Sequence, residues 1–440
     1  MTRARRTARH GTWLPGLLLA VAGALAACGP ATGPDDAVAG GTRSAGAPAQ
    51  AAPATRPSTD PTGPTGTAGP TGPGTTAAPA PDASTTTAGT PTATTSAPVL
   101  SCARQTLDRL DLAQRVGQLL VVGLPVADPG AAWGALGGVP VGGVFLHGRS
   151  SAGAAAVAGQ VAGLQAASPL PLQVAVDQEG GYVQTLRGAG FDDVPTAVEE
   201  GRLAPADLRA ATARWAAQLA AAGITMDLGP VADTVPAGTG AANPPIGASD
   251  RQYGSDPGQV AAAVDAVVGA LQDAGVVATA KHFPGLGRVT ADTDTDPGAS
   301  DPATSATDPY LDPFAAAVQA GAGAVMVSSA TYPQLDPDRL AVFSPAVVGL
   351  LRDRLGFDGV VVSDDLGAAA AVAGTPVGQR AVDAVGAGVD VVLTVRTADA
   401  VPMAAALADR AAADPGFAAR VQEAALRVLT LKERSGLLRC

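Results

Sequence analysis

Three short segments of this 440-residue chain carry groups able to transfer protons, attack carbon or grip hydroxyls. They are Asp177-Gln178-Glu179-Gly180-Gly181, Lys281-His282 and Ser363-Asp364-Asp365. Arg251 precedes the second segment, and Asp292 and Asp294 follow it. A carboxylate that stays ionised can serve as a nucleophile, and another held neutral can deliver a proton. Asp177, Arg251, Lys281 and His282 offer donors and acceptors suited to pinning a ring that bears several hydroxyls. Each residue also has a structural alternative. Asp177 and Arg251 could form a buried ion pair, His282 could be a hydrogen-bonded wall residue, and Asp365 could cap a helix beginning at Leu366.

Eight apolar runs are available to position these groups: Leu119–Gly123, Gly143–Leu146, Leu172–Asp177, Thr225–Leu228, Val276–His282, Ala324–Ser328, Gly359–Ser363 and Val389–Val395. Their nearly continuous apolar character predicts strands buried on both faces of a parallel sheet. Ala-rich stretches such as Asp207–Ala222, Pro257–Ala274, Pro345–Leu355, Gly378–Gly386 and Phe417–Lys432 predict helices between and after them. Ser344-Pro345 and Asp256-Pro257 read as N-caps followed by proline in the first turn, and Gly223 and Gly275 as helix ends. The alternation predicts a (β/α)8 TIM barrel over residues 101–440. Chemistry in such barrels collects at the C-terminal strand ends. There the third run meets Asp177, the fifth Lys281-His282, the sixth Ser328-Ser329 and the seventh Asp364-Asp365, while His147 follows the second and Asp227 and Asp233 flank the end of the fourth.

Composition removes several function classes. The net charge is −11, and basic residues do not cluster after Arg9, which argues against a nucleic-acid partner. Only Lys281 and Lys432 are lysines among 28 basic residues. The three histidines, His10, His147 and His282, lack zinc-site spacing, and no Gly-rich phosphate loop follows the first run, so neither metal nor cofactor is expected. Residues 1–27 read as a signal peptide: Arg3, Arg5 and Arg6 precede an apolar run ending in Leu25-Ala26-Ala27-Cys28. That ending resembles a bacterial lipobox, which implies lipidation of Cys28 and an exported protein anchored on the extracytoplasmic face of the membrane. Residues 28–100 are rich in Pro, Thr, Ala and Gly and read as a disordered linker. Cys102 and Cys440, at either end of the folded part, read as a disulfide in an oxidising compartment, or else as two separate thiols. A monomer is the default expectation.

Taken in order, three motifs resemble glycoside hydrolase family 3: Ala175-Val176-Asp177-Gln178-Glu179-Gly180-Gly181, Lys281-His282-Phe283-Pro284-Gly285 and Val362-Ser363-Asp364-Asp365-Leu366. Arg251-Gln252-Tyr253-Gly254-Ser255-Asp256-Pro257 and Leu355-Gly356-Phe357-Asp358-Gly359 fit the same pattern. The chain is most similar to the single-barrel branch containing bacterial β-N-acetylglucosaminidases. This resemblance implies a retaining hydrolase of β-linked glycans, cell-wall glycan among them, with Asp364 as nucleophile and with Asp177, Arg251, Lys281 and His282 binding the sugar. The branch carries its acid/base histidine in an Asp-Ser-His loop, where this chain has Asp292-Thr293-Asp294. Leu286, Tyr182 and Ser329 also stand where the family has histidine, arginine and histidine. Three readings follow. Asp294 is an acid/base helped by its partner Asp292; or the substrates have leaving groups needing little protonation; or the chain is a catalytically impaired, glycan-binding surface lipoprotein.

Overall fold

The computed structural model describes residues 101–440; the expected signal peptide, Cys28 and the linker lie outside the described residues. Eight parallel strands close into a barrel in chain order: β1 Leu120–Pro125, β2 Gly143–His147, β3 Gln173–Val176, β4 Met226–Asp227, β5 Val277–Phe283, β6 Ala324–Val327, β7 Val360–Asp365 and β8 Val391–Thr394, with β8 pairing back onto β1. All eight apolar runs become strands, with no end shifted by more than two residues. The strands are mostly apolar up to their C-terminal ends because both faces are covered. Side chains such as Val121, Phe145, Met226, Val362 and Leu393 fill the barrel interior, while Val122, Val144, Val174 and Val361 pack outward beneath the helices.

The helix signals also hold. Ser344 Oγ accepts the N–H of Val347, and Asp256 Oδ1 accepts that of Gln259, each followed by proline in the first turn. Gly223 and Gly275 adopt φ of 78° and 75° after the helices Pro205–Ala221 and Pro257–Asp273, a conformation that disfavours any side chain. The stretch expected to be one helix from Pro345 to Leu355 instead changes pitch, with α-helix over Pro345–Gly349 and a π-turn over Leu350–Arg354.

Cys102 and Cys440 are disulfide-bonded, with Cα atoms 5.6 Å apart. Glu433, on the last helix Pro415–Arg434, accepts the N–H groups of Cys102 and Ala103 at 3.0 and 2.9 Å. The first helix, Cys102–Arg109, is thus capped by a side chain from the far end of the sequence.

Candidate active site

The polar strand ends converge on a cavity of about 340 Å³ at the C-terminal mouth of the barrel. Asp177, Arg251, Lys281, His282, Asp294 and Asp364 all line it, and Asp292 and Asp365 lie at its wall. Every site residue expected from the sequence within the barrel is therefore brought together. Register shifts in the strand pairing fall between Ala280 and Phe283 and between Val362 and Asp365, on the segments that carry the chemistry. Such irregularities re-aim side chains at barrel rims.

Lys281 is 3 % exposed and contacts Asp177 at 2.7 Å and Glu179 at 2.5 Å. Both oxygens of Glu179 are in turn held by one edge of Arg251, from Nε at 2.7 Å and from Nη2 at 2.8 Å, and Arg251 Nη1 also donates to the Pro245 carbonyl. The ion pair that the sequence suggested between Asp177 and Arg251 is thus not the one formed: Arg251 pairs with Glu179. Burial disfavours the Glu179 carboxylate, but the Arg251 and Lys281 charges overcome it and hold its pKa well below the ordinary range. The same carboxylates outweigh desolvation at Lys281, which stays charged. Asp177 has one oxygen on Lys281 and, among the described residues, no donor on Oδ2, leaving that atom for a ligand hydroxyl.

His282 is oriented by Asp233, which is fully buried. Asp233 accepts the backbone N–H groups of His282 and Leu286 and lies 2.7 Å from His282 Nδ1. A carboxylate already accepting two N–H groups acts on the ring as an acceptor too, so Nδ1 carries a proton and Nε2 is the atom left for the cavity. Sequence reasoning gave Asp233 no role, although its place beside the end of the fourth run was the available signal. Glu179 was equally visible inside its motif.

Asp364 and Asp365 divide their work. Asp365 accepts from Gly367, Ala368 and Val395 N–H, which fixes the turn after β7. It caps that turn rather than a helix, because only the short 3-10 turn Ala370–Val372 follows. Asp364 faces the cavity, half-buried, with one oxygen accepting the Asp365 N–H. Burial raises its pKa, opposed by the nearby His282 and by that N–H. His147, at the end of β2, has its pKa lowered by burial against the pull of Asp365.

The Asp292-Thr293-Asp294 loop closes one wall. Its backbone carries the attachment: the carbonyls of Thr293 and Asp294 accept N–H groups from Ala371 and Ala370. Asp292 shapes the turn by accepting the Asp294 N–H at 2.9 Å. Desolvation first, then the charges of Asp364, Asp292 and Asp365, push the Asp294 pKa up to about 6, against the influence of His282. The partner expected from the sequence, Asp292, does contribute by like-charge repulsion, but desolvation is the larger cause.

A family model for the glycosyl hydrolase family 3 N terminal domain matches residues 111–431. The chain belongs to glycosyl hydrolase family 3. A β-hexosaminidase from Xanthomonas oryzae pv. oryzae is 39 % identical over 269 residues, covering 58 % of this chain and 76 % of that protein. Among solved structures, the β-N-acetylhexosaminidase from Beutenbergia cavernae DSM 12333 superposes with a TM-score of 0.72 at 48 % identity, over 74 % of this chain and 99 % of that one. A family 3 β-N-acetylglucosaminidase from Paenibacillus sp. str. FPU-7 gives a TM-score of 0.68 at 32 % identity, over 75 % of this chain and 64 % of its own.

Proposed function

We propose that this family 3 barrel is a retaining β-N-acetylhexosaminidase that cleaves β-linked glycans, cell-wall glycan among them. The observation that carries the reading is the convergence of Asp364 and Asp294 on one cavity whose other wall holds the Lys281–Asp177 pair. Asp177, Lys281 and His282 Nε2 pin the ring hydroxyls. The Asp364 carboxylate attacks the anomeric carbon, and the glycosidic oxygen departs with the Asp294 proton. Asp294 then takes a proton from water as that water breaks the Asp364 ester. A carboxyl with a pKa of about 6 suits both halves of the cycle, since it is neither a negligible acid nor a negligible base near neutrality. The Arg-rich start, the apolar run and Leu25-Ala26-Ala27-Cys28 support export and lipid anchoring at Cys28 on the extracytoplasmic face, with a monomer as the working unit.

The test is release of p-nitrophenol from p-nitrophenyl β-N-acetylglucosaminide by the parent and by Asp364→Asn. Turnover in the parent that is lost in the variant is expected. Silence from both on so activated a substrate would overturn hydrolysis of this sugar and favour glycan binding.

A further inference from the structure

Behind the Glu179–Arg251 pair lies a second, much smaller cavity of about 30 Å³, room for about two water molecules. Glu179, Arg251, Asp227, Thr212, Trp215 and Glu200 contribute to its walls. Glu200 ends the short helix Ala197–Glu200 and is 2 % exposed. Its buried Oε1 has no hydrogen-bond partner among the described residues, and neither has the buried Thr212 hydroxyl on the helix Pro205–Ala221. Two sealed polar groups bordering one cavity of this size call for water to join them.

Asp227 links this cavity to the sugar site. Its Oδ1 accepts the N–H of Gln178, the residue between the two carboxylates that hold Lys281. Asp227 therefore fixes the bend of chain that presents Asp177. The charged and titratable groups around it are Asp177 and Glu179 beyond β3, Lys281 on β5, Glu200, and Arg251 and Tyr253 beyond the 3-10 turn Gly247–Ser249. The two flanking helices add only Thr212, Trp215 and apolar side chains to the cavity. Burial pushes Asp227 up to about 7 against the Gln178 N–H and Lys281. Burial and the Asp227 and Glu199 charges push Glu200 up to about 9. At neutral pH Glu200 is a protonated donor, while Asp227 is close to half ionised.

We infer that Glu200 and Asp227, joined through water in this cavity, are positioning residues that set Asp177 for its sugar, so that neutralising Asp227 weakens substrate binding and leaves the chemical step alone. The inference rests on the glycosidase reading above. A protonated Asp227 is a poorer acceptor for the Gln178 N–H, and the bend that carries Asp177 then loses its anchor.

The experiment measures kcat and KM on p-nitrophenyl β-N-acetylglucosaminide from pH 6 to 8.5 for the full protein and for Asp227→Asn, Glu200→Gln and Glu200→Leu. Calorimetric binding of free N-acetylglucosamine is followed in parallel. If only the ionised form of Asp227 supports binding, KM of the parent rises about tenfold from pH 8 to pH 6. Asp227→Asn is expected to keep KM high at every pH, with kcat within about twofold of the parent. Glu200→Gln, which retains a donor, keeps the parent's limb, whereas Glu200→Leu removes the donor and moves the limb to higher pH. A residue that merely stabilised the fold would shift none of these limbs. A parent-like KM limb in Asp227→Asn, or identical limbs in the two Glu200 variants, overturns the inference while turnover still stands. Absence of turnover removes the glycosidase reading instead, and the pH dependence of sugar binding in parent and Asp227→Asn then decides the positioning claim. Loss of both turnover and binding overturns the two together.

Discussion

Substituting Asp294 by asparagine removes the one carboxyl in the cavity proposed to carry a proton to the leaving oxygen. With its pKa pushed up to about 6, that carboxyl is protonated roughly one-tenth of the time at pH 7, against about one part in 1,600 at the ordinary value of 3.8. The environment thus raises the supply of acid on the order of a hundredfold at neutral pH. An asparagine side chain supplies none. General acid–base assistance contributes about 10²–10⁴-fold, so kcat/KM of Asp294→Asn should fall by that range on an alkyl β-N-acetylglucosaminide, whose leaving group needs the proton. On the 2,4-dinitrophenyl glycoside, where departure needs little help, formation of the Asp364 ester should fall less than about tenfold, leaving its hydrolysis slow. Added azide, which needs no general base, should then restore turnover. The alkaline decline of parent kcat/KM that comes from ionisation of Asp294 should vanish in the variant. If the variant keeps both that decline and the parent's rate on the alkyl glycoside, Asp294 is not the acid and the reasoning from its surroundings fails.

Three further outcomes follow from the same geometry. Glu179→Gln strips the buried counter-charge from Arg251 and Lys281 and should cost about 3–5 kcal/mol in denaturant unfolding, with a raised KM. Lys432 is 1 % exposed, hydrogen-bonded to Gln118 Oε1, and its pKa is lowered by burial to about 7. Between pH 7 and 10.5 the unfolded chain binds the proton that the folded one has shed, so this lysine makes stability rise with pH over that window. Lys432→Met should accordingly raise the melting midpoint at pH 7, and its advantage over the parent should shrink toward pH 10. Cys440→Ser should lower unfolding stability by up to about 4–5 kcal/mol, and reduction of the parent should reproduce the loss.

The barrel was legible because strands buried on both faces leave unbroken apolar runs, and because Ser344, Asp256, Gly223 and Gly275 mark helix ends locally. Asp177, Lys281, His282 and Asp364 were legible because their motifs end those runs, whereas Arg251, Asp292 and Asp294 stood out only through the resemblance to family 3. What the sequence did not disclose is how distant residues pair. Glu179 meets Arg251 72 residues on, and Asp233 meets His282 across 49, so neither partnership leaves a local pattern. The burial that dominates the Asp294 pKa arises from docking its loop onto Ala370 and Ala371, again a contact between separate segments. Glu200 was unreadable for the same reason. A glutamate in a short capped helix ordinarily faces water, and only the packing of its neighbours seals this one in.

The bond between Cys102 and Cys440 spans 338 residues and turns nearly all of the barrel sequence into a covalent ring. A linear chain cut once in a surface loop becomes two pieces that can diffuse apart. A ring cut once remains a single molecule, with its new ends at the cut and its old ends still joined. A nick in any loop between the two cysteines therefore amounts to a circular permutation, and the strands that remain paired hold the fragments in place. An oxidised barrel clipped once thus remains one covalent molecule, and the pieces are free to separate only after that bond is reduced.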